Sequence, residues 1–215
     1  MQKLAQAKDG ADTESKIHTP RAVVVIGAST GGPTALVQII TKFPRNFPAS
    51  IIVVQQMRSG FTKLLARQLN GMSELQVEEA QHLQLLSTGL TLLTPGDCCL
   101  TIERDSSTQE MLFVPYIEDV SSSIEKLRKR IDSTMISAAE HFGSHAIGVL
   151  LTGVGDDGGE GMKKIRECGG KTLAQDESSC IVFDMPRAAI EANVVDEVLP
   201  LWSISDRIVE IVGEF

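Results

Sequence analysis

Ser29 lies in a short glycine-rich turn, Gly27-Ala-Ser-Thr-Gly-Gly32, directly after the apolar run Ala22–Ile26. A small turn that opens a helix exposes backbone N–H groups where the helix dipole favours negative charge. Three readings of that turn stand side by side. It could cradle a phosphate, or hold the oxyanion of an acyl-transfer intermediate with Ser29 as the attacking hydroxyl, or merely let the chain turn tightly. The Ser29 turn carries neither Gly-x-Gly-x-x-Gly nor Gly-Lys-Ser/Thr, so the phosphate reading lacks its usual fingerprint.

Two further turns have suitable chemistry. Gln55-Gln56-Met57 follows the apolar run beginning at Ser50, and Thr152-Gly-Val-Gly-Asp-Asp-Gly158 follows Ala146–Leu151. A serine hydrolase needs a carboxylate near its nucleophile to orient a general base, and Asp156 and Asp157 are candidates. Asp and Gly are also ordinary turn formers, so a solvated turn is the plain alternative.

The elements that must position these turns follow from hydrophobic patterning. Ala22–Ile26 is a continuous, β-branched run, as expected of a strand buried on both faces, and Ser50–Gln55 and Ala146–Leu151 read as further buried strands. Helices are expected over Pro33–Thr41, Thr62–Leu69 and Gly158–Cys168, with a long helical stretch over Ser121–His141 broken near Asp132. Leu75–Glu78 reads as a third, shorter strand. Leu90–Leu93, Cys99–Glu103 and Met111–Val114 read as an antiparallel hairpin region. Lys171–Ala174, Pro186–Glu191, Glu197–Leu199 and Ser205–Val212 complete the alternation. Strands alternating with helices predict an α/β fold, a doubly wound, mostly parallel sheet covered on both faces. In such sheets, sites form at the carboxyl ends of the strands, where all three turns lie.

Composition sets outer limits. The chain has 215 residues, 42% hydrophobic and 22% charged, which suits one substantial core. Residues 1–20 read as a polar tail or linker and 21–215 as the folded domain. A net charge of −8 and 4% aromatics argue against nucleic acid and anionic lipid as general partners. No apolar run reaches the ~20 residues needed to span a bilayer, and the first 20 residues lack a signal-peptide core. Cys98, Cys99, Cys168 and Cys180 form no Cys-x-x-Cys, which predicts reduced thiols in a cytoplasmic protein. No metal-ligand spacing is present, and no cofactor is expected.

Three ordered segments together resemble the CheB-type chemotaxis protein-glutamate methylesterases. Val25-Ile-Gly-Ala-Ser-Thr-Gly-Gly-Pro33 is similar to that family's nucleophile turn, and Leu151-Thr-Gly-Val-Gly-Asp-Asp-Gly158 to its aspartate loop. Ala174-Gln-Asp-Glu-Ser-Ser-Cys180 with Met185-Pro-Arg-Ala-Ala189 is similar to its late signature, and Pro95-Gly96-Asp97 to a Pro-Gly turn. The resemblance implies hydrolysis of γ-glutamyl methyl esters on methylated chemoreceptor helices, with deamidation of receptor glutamines in some members. It implies that Ser29 is the nucleophile and Asp157 the triad aspartate. Thr30 and Gly31 would line the site, and the main chain at Val154 would help hold the oxyanion. Family members commonly carry a receiver domain, which residues 1–20 cannot supply.

The chain departs from the family pattern where it matters for proton transfer. The family has Gln-His-Met after the second strand; here the histidine position is Gln56. A carboxamide hydrogen-bonds, but its conjugate acid is far too strong for general-base work near neutral pH. In a serine protease, loss of the base costs about 10⁶-fold in turnover. Cys98-Cys99 also stand near where the family often has a histidine. His82, after the third strand, is the possible substitute base; His18 lies in the tail, and His141 and His145 precede a strand. The sequence therefore predicts a methylesterase-like hydrolase with impaired turnover, or a degenerate module that binds receptors without hydrolysing them.

Overall fold

The computed structural model describes residues 19–58, 60–104, 112–114, 117–119 and 123–215. The expected tail falls almost wholly outside these residues, as do His18 and parts of the expected hairpin region. The chain runs β1 (Ala22–Ala28), α1 (Gly32–Ile40), β2 (Ala49–Gln55), α2 (Phe61–Met72), β3 (Gln76–Glu79), β4 (Gln84–Leu85), β5 (Leu90–Leu93), β6 (Cys98–Leu100), β7 (Glu103–Arg104), β8 (Leu112–Val114) and β9 (Ile117–Asp119). It continues with α3 (Ile124–Leu127), α4 (Arg130–Phe142), β10 (Ala146–Leu150), α5 (Gly159–Glu167), β11 (Lys171–Gln175), α6 (Asp184–Glu191), β12 (Glu197–Leu199) and α7 (Leu201–Gly213).

Seven strands form one parallel sheet in the order β12-β11-β10-β1-β2-β5-β3. The alternation of residues along a strand explains why β1 is apolar throughout. Val24 and Ile26 of β1 join the helices α1, α2 and α7 on one face, while Val23 and Val25 join α4, α5 and α6 on the other. The sheet is thus doubly wound, as the alternating pattern predicts. The strand order reverses at β1: β2 lies on one side of it and β10 on the other. Such a switch point leaves a crevice above the carboxyl ends, because the two connections leave in opposite directions.

Leu90–Leu93 is not part of an antiparallel hairpin. It is β5, a central parallel strand between β2 and β3, and all four of its residues are buried. Its short apolar run carries no alternation because both faces are covered. The antiparallel pairing lies elsewhere: β6 pairs with β9, and β8 pairs with both β4 and β7. The break in the 121–141 stretch falls at residues 128–129, before Asp132. This puts the first turn of α4 directly over the end of β1.

That contact is close. A Cβ built on Gly27 would lie 2.6 Å from Ile131 Cγ2 and 3.0 Å from a Leu150 methyl carbon. Glycine at the end of β1 is therefore a packing requirement that lets α4 begin beside the sheet. Gly27→Ala is expected to destabilise the fold by about 1–3 kcal/mol through overpacking, read as a lower urea midpoint at unchanged slope.

Candidate active site

Adjacent strand ends bring the three turns together. Leu151 N donates to Gly27 O at 2.9 Å, Ser29 N to Thr152 O at 3.0 Å, and Gln56 N to Ala28 O at 2.8 Å. Ser29, Gln56 and Asp157 thus follow β1, β2 and β10, three neighbouring strands at one rim. Ser29 and Gln56 are half-buried, and Asp157 is 4% exposed.

Asp157 is held by three N–H donors. The backbone N–H of Ile131 donates to Oδ2 and that of Asp132 to Oδ1, each at 3.0 Å. Gln56 Nε2 donates to Oδ2 at 2.8 Å. Ile131 and Asp132 lie in the first turn of α4, whose N-cap, Lys129, provides no side-chain cap. Asp157 therefore caps α4 from another loop and meets the positive end of its dipole. Asp132 repeats the device one helix on, accepting from Gly161 N in the first turn of α5 at 2.8 Å.

The surrounding shell fixes the turns. Gln55, 2% exposed, donates from Nε2 to Ser29 O at 2.8 Å. Arg130, also 2% exposed, donates from Nη2 to Gln55 O at 3.2 Å, and so steadies the peptide that leads into Gln56. Burial lowers the Arg130 pKa from its ordinary value, yet a guanidinium stays charged in proteins. Thr152 Oγ1 donates to Thr30 O at 2.9 Å and accepts from the N–H groups of Ile181 and Val182. Gln175 accepts from Thr152 N at 2.8 Å and donates to Ser179 O at 2.7 Å. The late signature residues thus brace the aspartate loop, and Met185 N donates to Gly153 O at 3.1 Å.

Gly153 packs against the nucleophile position: a Cβ there would lie 2.7 Å from Ser29 Cβ. Gly31 has φ 85° and lies under Ile181, which leaves no room for a side chain. The N–H groups of Thr30 and Val154 enter no hydrogen bond among the described residues, which leaves them available to an anion. Thr30 is exposed and Val154 is 53% exposed, both at the mouth of the crevice.

Other expected positions lie apart. His82 follows β3 at the same rim, but β3 is the outer strand and stands three strands from β1. At about 4.8 Å per strand, that is on the order of 14 Å from the Ser29 turn. His141 ends α4 and His145 precedes β10, both at the opposite end of the sheet. Asp156 is exposed, and the capping role is filled by Asp157. None of the four cysteines is in a disulfide.

Two glycine patterns elsewhere in the chain bear on the phosphate reading. Gly153, Gly155 and Gly158 have the Gly-x-Gly-x-x-Gly spacing between a strand and α5, but the Asp132 carboxylate already occupies that helix N-terminus. Gly170-Lys171-Thr172 leads into β11, a strand, so it opens no phosphate-binding helix. Arg130, Asp132 and Gln175 carry no site role in the sequence pattern, and Gln55 enters it only as the first residue of the Gln55-Gln56-Met57 turn. The one available signal was a glutamine closing a mostly buried strand, at Gln55 and Gln175.

Burial pushes the Asp157 carboxyl up from the ordinary 3.8 to about 6, against the opposing hydrogen bonds from Ile131, Asp132 and Gln56. A native value above the unfolded one means that folding favours the protonated form. The contribution is full below about pH 4 and is lost as pH rises through about 6. The gap corresponds to about 3 kcal/mol, and the carboxylate predominates at neutral pH. Asp157→Asn should remove this component, so that the stability difference between variant and native protein changes by about that amount between pH 4 and pH 7. Urea denaturation across the range checks it, and parallel curves would count against it.

Known proteins share this fold. The CheB methylesterase family profile matches residues 24–208. The protein-glutamate methylesterase/protein-glutamine glutaminase of Thermotoga maritima is 42% identical over 190 residues, 88% of this chain and 54% of that protein. A protein of the same description from Carboxydothermus hydrogenoformans is 45% identical over 188 residues, 87% of this chain and 54% of that protein. The crystal structure of the Thermotoga maritima CheB methylesterase catalytic domain superposes with a TM-score of 0.79 at 39% identity, covering 88% of this chain and 98% of that one. The chain spans about half the length of the curated relatives it matches. It belongs to the CheB methylesterase family.

Proposed function

We propose that this chain presents a methylesterase-type site for glutamyl side chains of chemoreceptor helices, and that the site holds its ligand far better than it hydrolyses it. The observation that carries this reading is the hydrogen bond from Gln56 Nε2 to Asp157 Oδ2 at 2.8 Å. In a catalytic triad a histidine bridges carboxylate and nucleophile, receives the serine proton and returns it to the leaving group. Gln56 makes the bond to the carboxylate and stands one strand from Ser29. Its amide has no accessible proton-accepting state near neutral pH.

Ser29 would be the nucleophile, and the N–H groups at Thr30 and Val154 the oxyanion donors. Residual turnover would come from those donors and from binding, worth about 10³- to 10⁴-fold over water in comparable hydrolases without their base. The ligand class follows from the relatives named protein-glutamate methylesterase/protein-glutamine glutaminase. Their greater length leaves room for a receiver domain as a covalent partner. No helix among the described residues is long and apolar enough to cross a membrane, and a cytoplasmic receptor tail is the partner that this reading requires. Nucleic acid, a metal and a cofactor have no part in it.

Gln56→His supplies the missing base at an unchanged backbone position. It should raise methanol release from a methylated receptor fragment by about 10³-fold or more over the native chain. A native chain that already matches the variant would refute the proposed role of Gln56.

A further inference from the structure

The amide at position 56 differs from an imidazole in more than basicity, because its two ends have opposite polarity. Nε2 donates to the Asp157 carboxylate, which also accepts from two backbone N–H groups and so offers no proton of its own when ionised. The reversed rotamer would set Oε1 against Oδ2, acceptor against acceptor. As long as Asp157 is ionised, the amide is held with its nitrogen toward the carboxylate. Oε1 is then the end left over, and it takes no hydrogen bond among the described residues. Arg130, the buried cation of this region, does not compete for it, since its Nη2 donates to Gln55 O instead.

The chemistry of acyl transfer fixes what this oxygen faces. The base of a serine hydrolase hands its proton to the departing group, so the side chain at the base position borders the leaving-group side of the bound substrate. For a γ-methyl ester that group is a methoxy oxygen, which only accepts hydrogen bonds. For a glutamine side chain it is –NH₂, which donates two. An acceptor opposite –NH₂ forms a hydrogen bond. An acceptor opposite a methoxy oxygen leaves two lone pairs in contact and forfeits the solvation of both.

We propose that Gln56 Oε1 makes this site selective for the unmodified carboxamide of receptor glutamines over glutamyl methyl esters, so that the chain recognises the amidated state of a receptor helix. The inference rests on the receptor-binding reading above and adds to it a specificity-determining atom. The ionised glutamyl side chain should bind worst, since it places a negative charge beside Oε1 and the Asp157 carboxylate.

The test is calorimetric titration of the native chain with one synthetic receptor coiled-coil peptide in three forms. These carry glutamine, glutamate γ-methyl ester or glutamate at a single methylation position, and mass spectrometry before and after confirms that none was converted. The glutamine form should bind about tenfold tighter than the ester, the loss expected for one mismatched acceptor and equal to about 1.4 kcal/mol. Gln56→Met, which lacks the amide oxygen, should bring the two to within about twofold. Ester binding equal to or tighter than glutamine binding by the native chain overturns the selectivity and leaves the receptor-site reading standing. Absence of binding by all three forms overturns both.

Discussion

The structure turns on a buried carboxylate. Asp157 is almost wholly removed from water, and an isolated anion there would cost several kcal/mol. Three N–H donors offset part of this, two from the opening turn of α4 and one from Gln56. Because the anion must sit at that helix end, α4 must begin beside the ends of β1 and β10. The glycine at position 27 gives it the space. The same constraint draws Gln56 inward from β2. A single charge thus sets the register of a helix, a loop and a strand end.

Around it, buried polar side chains bond to backbone groups of neighbouring turns rather than to solvent. Thr152 ties the Ser29 turn to the 181–182 segment, and Gln175 ties that loop to Ser179. Asp132 carries the capping pattern on to α5. Gln55 Oε1 and Arg130 Nε remain buried without a hydrogen-bond partner. Both belong to residues that hold the Ser29 and Gln56 backbones, a place where imperfect satisfaction is commonly tolerated for the sake of the site. The rim is therefore rigid where it presents Ser29 and open where Thr30, Val154 and Ile181 face outward.

On the proposed reading, a carboxamide where the family has an imidazole separates two duties that one residue usually performs. Holding the carboxylate needs only a donor at the right distance, and Gln56 provides it. Moving a proton needs a group that titrates near the working pH, and an amide does not. The architecture of the family is retained, while the proposed reading has Gln56 doing only the first of these duties. On the proposed reading the amide would also bring an acceptor to the leaving-group side of the crevice, where an imidazolium would be a donor.

The sequence determined much of this by itself. Continuous apolar runs at 22–26, 50–55 and 146–151 suit a sheet covered on both faces, and the turns after them then lie at its carboxyl rim. Local patterning therefore marked Ser29, Gln56 and Asp157 as turn residues following strands. It failed at Leu90–Leu93, because a four-residue apolar run has no period to distinguish a central parallel strand from part of a hairpin. It also missed Arg130, Asp132 and Gln175, whose roles consist of bonds to residues some 20 to 75 positions away. Only the tertiary structure decided which acidic residue of the 156–157 pair turns inward, how far His82 stands from Ser29, and which end of the Gln56 amide meets the carboxylate. Those outcomes depend on helix ends and strand order, which are properties of the assembled sheet and have no local signature along the chain.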